Sequence, residues 1–205
     1  MQAKTKKSEL TRNAIIEAGI DIAVRYGLGA VTVPILAEKL KLSNSGVFSR
    51  IGSIETLRLA LVEEYGKRFL AEIFFPALKK PHGLDRLDAM VESWIRKICS
   101  GDGNSMALFE VTAFSMDQAA HDTREILVGN VRAWRGVMMR TVMQAMAHRQ
   151  LREDIDPASL LFEIHCLVLG ALYEYRIMND ANTADKAMAS YRALIQRVKR
   201  PAKAA

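Results

Sequence analysis

The chain has 205 residues, half of them hydrophobic, which is enough apolar material for one large or two small packed domains and excludes global disorder. Its 29 Lys and Arg against 23 Asp and Glu leave a formal charge of +6, a balance that suits a polyanionic partner without requiring one. Only two cysteines, Cys99 and Cys166, and a basic, polar start without an apolar signal core argue against a disulfide framework, export or membrane insertion, so a reducing cytoplasm is the expected compartment.

Apolar residues recur at helical spacing throughout and no segment alternates with period two, so the expected fold is all-α, with about nine helices set off by stop signals. The first should span residues 8–26, with Ile15, Ala18, Ile22 and Tyr26 on one face and Gly27 and Gly29 ending it. Two short helices follow, the second capped by Thr32 with Pro34 in its first turn, the third capped by Ser43 and interrupted at Gly52. Ser53 opens a fourth to about residue 74, ended by Pro76 and Pro81. Longer helices are expected over residues 84–100, 104–115, 120–149, 157–178 and 183–199. Asp156-Pro157 supplies a strong start for the penultimate one, and Asn182 or Thr183 opens the last.

The stretch from Ala30 to Ile51 holds two short helices joined by a tight turn and braced by longer ones on either side, the layout of a helix-turn-helix that places its second short helix in the DNA major groove. Leu36, Ala37, Leu40, Leu42, Val47 and Ile51 supply the inner apolar face. Asn44, Ser45, Gly46, Ser49 and Arg50 then face outward. Asn and Arg can bond base edges in pairs, hydroxyls reach bases or phosphates, and glycine permits close approach.

At these residues the sequence resembles the tetracycline-repressor family of bacterial regulators. The resemblance runs through Thr11-Arg12, Ile15 with Ala18, Gly27, Thr32-Val33, Leu36-Ala37, Leu42-Ser43, Val47-Phe48, Ile51, and Ser53 with Leu57. It implies an N-terminal helix-turn-helix domain, residues 1–52, and a helical effector-binding and dimerisation domain, residues 53–205. DNA contacts are expected from Thr32, Ser43, Asn44, Ser45, Gly46, Phe48, Ser49 and Arg50. Three positions depart from the family pattern: Phe48 stands where a phosphate-binding Tyr is usual, Ile54 where Lys is frequent, and Asn44 where Lys or Glu is common. Losing two phosphate contacts should weaken binding unless Thr32, Ser43, Arg50, Arg58 or the arm bearing Lys4, Lys6 and Lys7 compensates.

The resemblance also implies a homodimer built from the last two helices and, by its symmetry, a pseudo-palindromic operator in double-stranded DNA. Leu167, Gly170, Ala171, Ala187, Ser190 and Leu194 are the expected interface, since small residues permit close helix approach. An apolar effector pocket is expected among Trp94, Met106, Phe109, Phe114, Trp134, Met138, Phe162 and Tyr173, with Glu110 and His165 as polar anchors, although any one of these also reads as plain core. The four histidines lack ligand spacing, and no phosphate loop, nucleophile elbow or catalytic cysteine set occurs, so neither metal, cofactor nor enzyme activity is expected. The expected function is a repressor released from its operator by a small apolar or amphipathic effector. An activator, an effector-independent regulator, or a helical ligand-binding protein with weakened DNA affinity remain as alternatives.

Overall fold

The computed structural model describes residues 2–100, 107–113 and 121–201, with side chains from residue 11 onward except that of residue 113. The described residues are helical without a strand, apart from one isolated bridge between Leu151 and Lys199. Two compact units form, Met1–Arg68 with Ala107–Val131 and Phe69–Met106 with Arg132–Ala205.

In the first unit α1 (Gln2–Tyr26) starts six residues earlier than its periodicity suggests, so the backbone carrying Lys4, Lys6 and Lys7 is helical. Ile15, Ala18 and Ile22 are buried as expected, whereas Tyr26, at the helix end, is 73% exposed. A short 3-10 turn over Leu28–Ala30 leads to α2 (Val33–Leu40), and α3 (Asn44–Ile51) follows. α4 (Ile54–Phe69) then lays Leu57, Leu61, Val62 and Tyr65 into the core with Ile15, Leu36, Val47 and Ile51. Arg68 closes this unit by pairing with Glu17 on α1 and, at 3.1 Å, with Glu64 one turn back. α7 (Leu108–Ala113) packs against the same core, where the Tyr65 hydroxyl accepts from the Leu108 amide at 3.2 Å.

The second unit begins where α4 passes into a π turn, Leu70–Phe74, and then α5 (Phe75–Leu78). Pro76 was expected to end the helix, because proline offers no amide and crowds the carbonyl four residues back. The chain instead widens one turn ahead of it, with the Phe75 amide donating to Leu70 O five residues back, and remains helical through Leu78. Counting α4, this turn and α5 as one interrupted helix leaves nine helices among the described residues.

α6 (Leu84–Ile98) starts at Gly83, whose φ of 94° lies in the region that favours glycine, and its first amide donates not to a local cap but to Gln150 Oε1 at 2.9 Å. α8 (His121–Ala147) gives its first half to the first unit and its second half to this one. α9 (Pro157–Met178) is fixed at its start by Asp156, whose carboxylate accepts from the Ala158 and Ser159 amides at 3.1 Å, and at its end by Asn179 in the left-handed conformation. α10 (Thr183–Val198) packs on α6 and α9, and its buried Tyr191 donates to Asp88 at 2.7 Å. α9 is long and apolar enough to cross a bilayer by length and composition, yet one of its faces lies in this core.

Candidate nucleic-acid interface and effector region

The two short helices are held by their own caps. Thr32 Oγ1 accepts from the Ile35 amide at 3.5 Å at the start of α2, and Lys41 ends that helix with a left-handed φ of 54°. Ser43 Oγ accepts from the Gly46 amide at 3.0 Å at the start of α3. A Cβ at Gly46 would stand 3.0 Å from that same oxygen, so the glycine keeps the cap tight. Leu36, Ala37, Val47 and Ile51 are buried as the inner face, with Leu40 and Leu42 half-buried at its margin.

Outward from this frame stand Ser43, Asn44, Ser45, Phe48 and Ser49, all exposed, with Thr32, Gly46 and Arg50 half-buried. The site residues expected on α3 therefore share one accessible face. Arg50 is folded back along it: Nη1 donates to Gly46 O at 2.6 Å and to Ser49 Oγ at 3.4 Å. The Ser49 hydroxyl donates to Gly46 O at 3.2 Å, and the Ser43 and Ser45 hydroxyls lie 3.1 Å apart. Arg50 Nη1 is thereby committed to the protein, and only a base contact made by that nitrogen would have to replace its Gly46 bond. Arg58 is engaged elsewhere, donating to the carbonyls of Val31 at 3.2 Å and Gly29 at 3.4 Å, so it braces the loop before α2.

The expected effector residues divide between the two units. Phe109 and the buried Glu110 lie on α7 in the first, where Phe109 meets Tyr65 edge to face at 4.8 Å. In the second, Trp94 on α6, Trp134 on α8 and His165 on α9 come together: Trp94 meets Trp134 at 5.6 Å and His165 at 5.3 Å, both nearly perpendicular. Phe69, at the end of α4, completes the cluster with contacts of 4.9 Å to Trp134 and 6.2 Å to Trp94. Met138 is buried on the same stretch of α8. Met106 and Phe114 lie outside the described residues.

Phe162 and Tyr173 do not join this cluster. They stand 62% and 67% exposed on the outer side of α9, in line with Cys166, Leu169 and Ile177, all exposed at spacings of three or four. Of the expected interface residues, Gly170 and Ser190 are exposed and Leu167 is half-buried, while Ala171, Ala187 and Leu194 face the interior of their own unit. Cys99 is half-buried, with its thiol pushed up to about 11 by burial, whereas Cys166 is exposed.

A helix-turn-helix reader joined to further helices that gather an aromatic cluster defines the architecture of a ligand-responsive DNA-binding regulator. The family model described as "Tetracyclin repressor-like, C-terminal domain" matches residues 83–191, more than half of the chain. The chain belongs to the tetracycline-repressor family of transcriptional regulators. Among solved structures it is similar to a regulator of this family from Agrobacterium tumefaciens, with a TM-score of 0.81, 16% identity, and coverage of 94% of this chain and 99% of that one. A regulator from Chloroflexus aurantiacus J-10-FL aligns with a TM-score of 0.79 and 19% identity over 96% of this chain and all of that one. AibR, solved with isovaleryl coenzyme A and operator DNA, aligns with a TM-score of 0.74 and 14% identity over 93% and 99% of the two chains. No curated protein sequence matches the chain.

Proposed function

We propose that this chain is a homodimeric, non-enzymatic repressor of the cytoplasm that leaves a pseudo-palindromic operator when a small apolar or amphipathic effector binds. The observation that carries the reading is α3: a short helix capped by Ser43 whose exposed face gathers Ser43, Asn44, Ser45 and Ser49 beside Arg50. Two such helices, about 34–36 Å apart in a two-fold dimer, would enter successive major grooves. The exposed stripe of α9 supports the dimer, because contiguous apolar surface of this kind marks an interaction site, and Gly170 and Ser190 would allow close approach beside it. The crystallised complex of AibR with an acyl-coenzyme A and operator DNA supports the coupling of ligand to DNA. An effector held by the second unit would act by binding one arrangement of the readers more tightly than another.

Selection of duplex DNA by the purified protein, followed by titration of the selected site at two salt concentrations, tests this directly. A palindromic site should emerge, bind more weakly as salt rises, and lose about ten- to a hundredfold in affinity with Arg50→Ala. Failure to enrich any sequence, or equal affinity of the two proteins, would remove the reader from the proposal.

A further inference from the structure

Within the second unit the cluster of Phe69, Trp94, Trp134 and His165 contains two polar atoms that bond to no described protein atom, Trp134 Nε1 and His165 Nε2. They are chemically complementary. Trp134 is only 6% exposed, and its indole nitrogen can only donate. His165 Nδ1 lies 2.8 Å from Leu161 O, and since a carbonyl only accepts, Nδ1 carries the proton and Nε2 of the neutral ring is left as an acceptor. Burial keeps that ring neutral by lowering its pKa below the usual histidine value, and Arg135 acts in the same direction. A buried donor and a buried acceptor left open on rings that touch the same tryptophan are costly for folding alone and marked for a partner. Residue types that merely filled a core, Phe for Trp and Leu for His, would avoid both costs.

We infer that this cluster is the recognition element for an uncharged, ring-sized effector bearing a hydrogen-bond acceptor for Trp134 Nε1–H and a hydroxyl or N–H for His165 Nε2. The inference rests on the effector-responsive reading above and adds the chemical class. A carboxylate would find the Trp134 donor but present no proton to His165, while a cation would meet the positive charge of Arg135, which already disfavours a second charge at His165. The aromatic walls supply the apolar contact, and the two polar atoms set orientation.

The chain has two tryptophans, and both stand in this cluster, so intrinsic fluorescence reports on its occupancy. Four para-substituted benzenes of similar size are suitable probes: 4-(hydroxymethyl)acetophenone with donor and acceptor, 4-ethylacetophenone with the acceptor alone, 4-ethylbenzyl alcohol with the donor, and 4-acetylbenzoate with a charge. The first should bind most tightly and the carboxylate most weakly, each matched group being worth about three- to tenfold in affinity. Trp134→Phe should erase the preference for a ketone and leave that for the alcohol. His165→Phe should do the reverse, and circular dichroism should show both variants folded. Equal binding of all four probes, preference for the carboxylate, an equal loss of every probe in both variants, or no fluorescence change at all would each overturn the inference. Adding the same probes to the operator complex separates the two levels. Release by the carboxylate that neither variant alters would overturn the assignment here and leave regulation standing. An operator complex indifferent to a probe that fills the cluster would instead sink the effector-responsive reading.

Discussion

Gly83 and Gln150 act as one device at the scale of single residues. The Gln150 side chain takes the first amide of α6 from 66 positions away in sequence, and a Cβ on Gly83 would come within 2.0 Å of its oxygen. Gly83→Ala therefore combines positive-φ strain with loss of the cap and should destabilise the fold by about 2–3 kcal/mol, while Gln150→Ala, which removes only the cap, should cost about 1 kcal/mol. Equal melting temperatures for the two variants would show that the glycine backbone is unstrained. His165 makes a pH-dependent contribution of predictable sign. Above about pH 6.5 its ring is neutral in both folded and unfolded chains, and below that value the unfolded chain takes up a proton that the buried ring resists, so the folded state weakens as the pH falls. Melting curves at about pH 8 and about pH 5 should show the wild type losing more stability than His165→Phe. A constant gap would place the acid sensitivity elsewhere.

At the scale of helices, α3 carries the sharpest departure from the family pattern. Phe48 is 56% exposed on the reading face, where an aromatic ring gains nothing from water. Phe48→Tyr adds a hydroxyl able to meet a phosphate and should tighten operator binding severalfold with no loss of stability. Unchanged affinity would mean that the ring points away from the DNA backbone. The two short helices were legible in the sequence because their signals are local: a cap, an early proline, a glycine after the second and a three-four apolar spacing. Helix faces in the second unit were not. α9 is apolar nearly all round, so periodicity does not distinguish the side packed inward from the side left open. Small residues suggested Ala171 and Ala187 as contact points, yet these are packed within their own unit, and the open stripe carries Phe162 and Tyr173 instead. Gln150 as the remote cap of α6 and Phe69 as a cluster wall were hidden for a related reason, since both depend on contacts far apart in sequence.

For the molecule as a whole, that stripe makes a prediction about assembly. Tyr173 and Ile177 are 67% and 63% exposed one turn apart, and a double change to Asp would place two charges within the proposed seam. Sedimentation should show the variant as a monomer, and operator affinity should fall by at least a hundredfold because two half-sites are no longer engaged together. A dimer of wild-type strength would move the interface off α9. Packing also divides the chain differently from its motifs. The sequence suggests a functional boundary after residue 52, but the first compact unit runs to Arg68 and recruits Ala107–Val131. That return of a distant segment has no local signal, because α7 is short and its apolar residues fit any core.

The π turn at Leu70–Phe74 makes the end of the long fourth helix a screw with one spare tooth. It stores one residue beyond what ordinary α-helical winding would hold, beside a proline that stops the winding from closing. Passing that residue along the chain would rotate the following turn by about 100° and advance it by about 1.5 Å without melting the helix. Pro76→Ala, which restores an amide at that position and removes the ring that crowds the preceding turn, should let this stretch wind as an ordinary α-helix.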